Sequence, residues 1–181
     1  MIYSNKWLID KHSNGEQLRY LYFWGHRRQA DGSIGKSCLS QWWSAPFCIK
    51  EVTFPTAEHW MMYQKAQLFG DSEIAARILA TEDPASVKHL GRKIRGFDIE
   101  LWDKHKFNIV KEGNGYKFEQ NVLLKNFLLN TGDRILVEAS PVDNIWGIGM
   151  AEDNDAIADP QNWQGQNLLG YALMHVRDEL K

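Results

Sequence analysis

Several features that define common protein classes are scarce in this sequence. It has two cysteines, Cys38 and Cys48, which form neither a CxxC motif nor a cluster with histidine, so we expect reduced thiols. No apolar run approaches the roughly 20 residues that cross a bilayer. The N-terminal stretch MIYSNKWLIDKHSNGEQ is too polar for a signal peptide. These absences predict an intracellular, cytoplasmic protein without membrane contact.

Excess charge of one sign is also lacking. The formal net charge is −2, so no broad basic surface favours nucleic acid or an anionic membrane. A nucleic-acid partner would have to be recognised locally, in a pocket. The chain is 44% hydrophobic and 24% charged, which is typical of a globular protein rather than a disordered one, and its 181 residues suit one domain.

The common motifs of metal, phosphate and serine chemistry are missing as well. The six histidines contain no i,i+4 pair and no HExxH motif, so no metal site is predicted. GHRRQADGSIGKS ends in Gly-Lys-Ser but lacks the earlier glycine of a P-loop, and WGIG lacks the third glycine of a dinucleotide fingerprint. No GxSxG motif is present.

Tryptophan, in contrast, is abundant, with eight residues. Buried tryptophans often only fill a core. Several of these, however, stand beside polar or glycine-containing segments, where indole faces can stack on flat ligands such as nucleobases. They are Trp42, Trp43, Trp102, Trp146 and Trp163.

The periodicity of the chain predicts a mainly α (α+β) fold with a few short strands rather than an alternating βαβ series. Strands are predicted at residues 18–24, at residues 47–54 and in RILVEAS. Predicted helices cover the segment from Thr56 to Gly70, residues 72–80, 84–90, 98–112 and 116–130, and a last helix that Asn167 caps.

The helix that begins after Thr56 carries Glu58 and Lys65, seven residues apart. They share a helix face and lie about 10 Å apart along its axis, with Met61 and Met62 between them. Both residues have a purely structural explanation. A carboxylate such as Glu58 stabilises a helix N-terminus, and Lys65 can be an ordinary solvated cation. Alternatively, the two form the floor of an active site.

Three other polar residues also have ordinary structural explanations. Asp143 can form an Asx-turn after Pro141. Arg92 can be a helix-end cation beside Gly91, and Asn167 can be a cap alone. Composition and spacing therefore leave the function open.

A set of motifs in a fixed order nevertheless resembles one family. They are CLSQWWSAPF, FPTAEHWMMYQKAQLF, HLGRKIRGFD, LWDKHKFNIV, KFEQNVLLKNFLLNTGDRILVEASPVDNIWGIG and WQGQNLLGYALMHVRDEL. This order is similar to that of the YbiA-like, or NADAR, family over about residues 20–180. The resemblance implies a compact, mainly helical N-glycosidase domain at residues 20–181, preceded by an N-terminal extension at 1–19.

The resemblance also implies a reaction and substrates. Members are similar to hydrolases that cleave phosphoribosylated riboflavin intermediates or that remove ADP-ribose from guanine bases. The expected partner is therefore a ribosylated small molecule or ADP-ribosylated guanine in nucleic acid, with no metal and no cofactor. A non-catalytic module that binds ADP-ribose or a nucleotide is the alternative, and a purely structural domain is a further one.

Carried over by position, the family's catalytic residues correspond to Glu58, Lys65 and Asp143. A carboxylate beside ribose C1′ stabilises the oxocarbenium-like transition state and orients a water. A lysine can instead attack C1′ to form a Schiff base, protonate the leaving base or bind phosphate.

The remaining predicted site residues are expected to bind substrate, and the resemblance itself carries over Trp146 and Gly147. Trp42 and Trp146 are expected to stack on the base, and Arg92 to hold a phosphate. Gly147 and Asn167 complete the predicted set. One departure is Gln41, which follows Ser40 where many members have asparagine, and this change bears on the substrate more than on the reaction.

Overall fold

The computed structural model describes residues 2–181 of the chain. Most of the regular structure in this part is helical, which confirms the expected fold class. The helices are α1 (Asn5–Ser13), α2 (Ala57–Leu68), α3 (Ser72–Leu79), α4 (Pro84–Gly91), α5 (Ile99–Gln120), α6 (Val122–Leu129) and α7 (Leu168–Glu179). The strands are β1 (Tyr20–Phe23), β2 (Phe47–Ile49), β3 (Val52–Phe54) and β4 (Ile135–Glu138). None of the helices within residues 2–181 is long and apolar enough to cross a membrane.

The chain divides into two compact units, and one of them is Gln41–Val122. In this unit α2 packs against α3, α4 and α5. The aromatic core beside α2 contains Phe47, Phe54 and Trp60, all at most 4% exposed. The edge-to-face contact between Phe54 and Trp60, with ring centroids 5.2 Å apart, joins β3 to α2.

The segment FCIKEVTF is a hairpin rather than the single strand predicted for residues 47–54. β2 and β3 pair antiparallel, with Ile49 opposite Val52. The two residues between them, Lys50 and Glu51, have φ angles of 47° and 69°. A two-residue hairpin turn of this kind usually contains asparagine or glycine, because both central residues need positive φ. Neither asparagine nor glycine is present here, which explains why the sequence did not predict the turn.

Helix α5 is also longer than predicted. Two helices at 98–112 and 116–130 were expected, and the gap between them contains Gly113 and Gly115, which weaken a helix. Instead, α5 runs without a break through both glycines. A Cβ at position 113 would lie 2.2 Å from Cδ1 of Trp60, so glycine allows α5 to pack closely on α2. Tertiary packing here outweighs helix propensity.

The other unit contains residues 2–40 and Leu123–Lys181. β1 and β4 pair in parallel, with Tyr20 opposite Ile135, and α7 packs on β4. The sequence of α7 indicates one buried apolar stripe, whereas the helix is buried on nearly all sides. Helix α1 was not predicted. It begins after Ser4, whose side chain accepts a hydrogen bond from the backbone N–H of Trp7. The boundary expected between an extension at 1–19 and a domain at 20–181 stays a prediction.

Candidate active site

The start of α2 fixes the position of Glu58. Thr56 is the N-cap, as predicted, and its hydroxyl accepts a hydrogen bond from the backbone N–H of His59. Glu58 lies in the first turn, where the helix dipole favours a carboxylate, and it is only 3% exposed. His59 is fully buried, and its ring lies 2.8 Å from the Thr56 hydroxyl and 2.9 Å from the carbonyl oxygen of Thr81. The contacts of His59 with Thr56 and Thr81 therefore fix the position of the first turn of α2.

Lys65 lies two turns later on α2 in a mixed polar and aromatic environment. Its Nζ donates a hydrogen bond of 3.0 Å to the carbonyl oxygen of Gly91. The same nitrogen lies 4.3 Å from the ring centroid of Phe97 and 5.4 Å from that of Trp102. Phe97 is 44% exposed and Trp102 is buried. Lys65 is thus half-buried near two aromatic rings rather than fully solvated.

The environment changes the acid–base properties of Lys65. Burial lowers the pKa of the Lys65 ammonium because it disfavours the charged form, and the negative charge of Glu58 opposes this by raising the pKa. The predicted pairing of Glu58 and Lys65 on one helix is therefore also an electrostatic one. A lysine with a lowered pKa provides more neutral amine near neutral pH, which is the form that acts as a nucleophile.

A chain of buried amides approaches α2 beside Glu58. The backbone carbonyl of Gln41 accepts a hydrogen bond of 3.0 Å from the backbone N–H of Glu58. The side-chain Oε1 of Gln41 accepts one of 2.7 Å from Nδ2 of Asn114 on α5. That Nδ2 also donates to the carbonyl oxygen of Val110, at 2.8 Å. Gln41 is 6% exposed and Asn114 is fully buried.

Two of the predicted substrate-binding residues lie in the same unit. Trp42 is half-buried, and Nζ of Lys88 lies 5.8 Å from the centroid of its ring. Arg92 is exposed and is the C-cap residue of α4. It directly follows Gly91, whose carbonyl oxygen binds Lys65. The position of Arg92 at a helix end agrees with the structural explanation offered for it, and phosphate binding stays a prediction.

The other four predicted site residues belong to the unit that contains residues 2–40 and Leu123–Lys181, and three of them lie in one loop. Oδ1 of Asp143 accepts hydrogen bonds from the backbone N–H groups of Ile145, at 2.9 Å, and Trp146, at 2.8 Å. This is the Asx-turn that the sequence allowed. Trp146 is half-buried. Gly147 is buried, and a Cβ there would lie 2.8 Å from the carbonyl oxygen of Glu138. Only glycine permits this close approach.

Asn167 is buried at the junction of this loop and α7. It has a positive φ of 53°, and its side chain does not cap α7. Instead, its Oδ1 accepts a hydrogen bond from the backbone N–H of Glu138, and its Nδ2 donates one to the carbonyl oxygen of Leu136, each 3.0 Å long. These bonds hold α7 against β4 and explain asparagine at this position without a substrate. Its predicted substrate contact stays a prediction.

Comparison with known proteins identifies the family. The NADAR domain profile matches residues 22–181, nearly the whole chain. The chain belongs to the NADAR family. The recognition made from the ordered motifs is therefore confirmed.

Three relatives illustrate what this NADAR chain is similar to. An N-glycosidase of Acanthamoeba polyphaga mimivirus is 43% identical over 172 residues, which cover 91% of the chain and 98% of that protein. A riboflavin biosynthesis protein of Vibrio vulnificus is 30% identical over 143 residues, covering 79% of the chain but 35% of that protein. The NMR structure of E. coli YbiA superposes with a TM-score of 0.71 at 26% identity, covering 91% of the chain and 86% of YbiA.

The candidate site also contains residues that the sequence did not single out. Gly91 and Phe97 contact Lys65, and Asn114 contacts Gln41. Gly91 and Phe97 both lie in the motif HLGRKIRGFD, and their position there was the one available signal. Asn114 lies between two glycines in a helix and had no signal of its own.

Proposed function

We propose that this NADAR protein hydrolyses the N-glycosidic bond between ribose C1′ and a base or amino-pyrimidine. The observation that carries the proposal is Lys65, a half-buried amine with a lowered pKa, on the same helix as the buried carboxylate of Glu58. Charge of both signs beside apolar surface suits a reaction that builds positive charge on a sugar. The name of the mimiviral relative, an N-glycosidase, supports the same class of reaction.

In the first route Lys65 acts as a nucleophile. The neutral amine attacks C1′, the bond from C1′ to the base nitrogen breaks, and the base leaves with a proton. Opening of the sugar ring places O4′ as a hydroxyl and leaves an imine between C1′ and Nζ. Water then adds to the imine, which releases the ribosyl aldehyde and restores the amine. The sum is hydrolysis.

In the second route water attacks C1′ directly. Glu58 stabilises the oxocarbenium-like transition state and accepts a proton from that water, and Lys65 protonates the leaving base or binds a phosphate. The two routes differ in one observable respect. Only the first joins the sugar covalently to the enzyme.

The remaining predicted residues have supporting roles in the proposal. Trp42 stacks on the base, and Arg92 holds a phosphate. The roles of Asp143 in catalysis and of Trp146, Gly147 and Asn167 in substrate binding rest on the family resemblance alone.

Two substrate classes are compatible with this chemistry: ADP-ribosylated guanine, free or in nucleic acid, and phosphoribosylated amino-pyrimidines. The similarity to a riboflavin biosynthesis protein of Vibrio vulnificus favours the second class. Since the matched region covers 35% of that protein, both substrates are included in the test.

The first experiment is a product assay by mass spectrometry on both substrates, separately. Release of ADP-ribose from the first or of ribose 5-phosphate from the second supports the proposal. Lys65→Ala and Glu58→Gln are each expected to lower kcat/KM by about 10²–10⁴-fold, the range for a lost general acid or base. Lys104→Ala, an exposed lysine on α5, is the matched control and should retain wild-type activity.

Reduction with cyanoborohydride during turnover distinguishes the two routes. A stable adduct of sugar mass on Lys65, absent from Lys65→Arg, supports the imine route. Turnover without an adduct supports direct attack by water. If no product forms from either substrate while ADP-ribose raises the melting temperature, the proposed activity is wrong and a binding module is favoured.

A further inference from the structure

The side-chain amides of Gln41 and Asn114 are hydrogen-bonded to each other, and the donor and acceptor atoms of both can be assigned from one backbone carbonyl. The carbonyl oxygen of Val110 can only accept, so the Asn114 atom that lies 2.8 Å from it must be Nδ2. The second hydrogen of Nδ2 then points to Gln41, 2.7 Å away. The Gln41 atom that receives it must be Oε1. One backbone carbonyl thus determines the orientation of both amides.

This assignment leaves Nε2 of Gln41 as a donor with two hydrogens. Its contact within the described residues is with Sδ of Met61, at 3.9 Å, and a thioether is a weak acceptor. Met61 lies three residues after Glu58 on α2. The backbone carbonyl of Gln41 is bonded to the backbone N–H of Glu58, so Gln41 lies beside the first turn of the helix that carries the proposed catalytic carboxylate.

The arrangement also has a cost, since Oδ1 of Asn114 is buried without a hydrogen-bond partner among residues 2–181. A buried acceptor without a partner is unfavourable and rare in native proteins. Turning the amide of Asn114 would place oxygen against the carbonyl of Val110 and against Oε1 of Gln41. Asn114 therefore uses both donor hydrogens at the expense of its acceptor, which favours a functional reason for its orientation.

We propose that Asn114 is a positioning residue that acts through Gln41, so that Nε2 of Gln41 donates a hydrogen bond to an oxygen of the ribosyl substrate beside Glu58. The inference rests on the proposed N-glycosidase function. It names Asn114 as the residue that selects a donor rather than an acceptor at this point of the site. A ribose hydroxyl or ring oxygen has the lone pair that such a donor requires.

The test is a double-mutant cycle with apolar residues of similar shape, Asn114→Leu and Gln41→Met. Gln41→Met removes the donor and is expected to lower kcat/KM by about 5- to 150-fold, the range for a lost hydrogen bond that leaves a partner unsatisfied. Asn114→Leu only frees the orientation of Gln41 and should lower kcat/KM by about 2- to 10-fold. In the Gln41→Met background, Asn114→Leu should have no further effect.

Asn108→Leu, an exposed asparagine on the same helix, is the matched control and should retain wild-type kcat/KM. Melting temperatures of all variants separate folding from activity. An equal loss from Asn114→Leu with and without Gln41 would overturn the proposal, as would an unchanged kcat/KM in Asn114→Leu. Inactive wild-type protein would overturn the N-glycosidase function and this inference together, whereas active wild-type protein with an additive cycle overturns only the inference.

Discussion

Gly113 and Gly115 on α5 form a natural pair for measuring how closely α5 packs against α2. A Cβ at Gly113 would lie 2.2 Å from Cδ1 of Trp60 and 2.9 Å from both Cγ and Nε1, whereas a Cβ at Gly115 meets nothing within 4 Å. Since carbon atoms in contact lie about 3.5–4.0 Å apart, the ring or the helix must move by about 1.5 Å to accept alanine at position 113. The indole is rigid, and its Nε1 is bonded to the carbonyl oxygen of Ile109.

The expected energies follow from this geometry. Gly115→Ala should raise the free energy of unfolding by about 0.5–1 kcal/mol, because alanine is the better helix former. Gly113→Ala gains the same amount but also overpacks the core, which costs about 1–3 kcal/mol. The difference between the two variants isolates the overpacking. For a chain of this size it corresponds to about 2–12 °C in melting temperature.

Urea unfolding followed by tryptophan fluorescence measures both free energies, and calorimetry measures the melting temperatures. Trp60→Leu provides the internal control, because in that background Gly113→Ala should lose most of its cost. A Gly113→Ala protein as stable as Gly115→Ala would refute the close packing of α5 on Trp60. Equal costs with and without the indole would show that the cost arises elsewhere.

Three further predictions concern other parts of the chain. Replacing Lys50-Glu51 by Asn-Gly should raise the free energy of unfolding by about 1–2 kcal/mol, because both residues have positive φ, and urea unfolding measures it. The pKa of Asp71 is lowered, chiefly by hydrogen bonds from Arg95. The stabilising effect of this carboxylate is therefore complete above the ordinary aspartate pKa of about 4 and is lost as the pH falls below that value. Asp71→Asn should lower the melting temperature at pH 7 more than at pH 3. If Lys65 attacks as the neutral amine, kcat/KM should rise with pH through its lowered pKa, and a flat pH profile would contradict the imine route.

Local signals in the sequence sufficed for much of the fold. Thr56 and Glu58 marked the start of α2, and Gly70, with a φ of 70°, follows its end as predicted. The apolar stripe of α7 predicted a helix with a buried face, and the Asx-turn of Asp143 was one of the two explanations that the sequence allowed for this residue. Each of these depends on contacts within a few residues or on a repeat within one helix. Such local contacts can be predicted because the residues that make them are close together in the sequence.

Tertiary structure decided the features that join distant parts of the chain. Helix α5 continues through its glycines because it packs closely against Trp60 there. The side chain of Asn167 is hydrogen-bonded to β4 rather than to the helix that it precedes. The environment of Lys65 depends on a carbonyl 26 residues away, and the orientation of Gln41 on an amide 73 residues away. By itself the sequence determined which chemical groups are present and the helix that carries Glu58 and Lys65. Packing determined which of those groups are buried and which of them meet, and this sets the direction of the pKa shift of Lys65 and the orientation of the Gln41 and Asn114 amides.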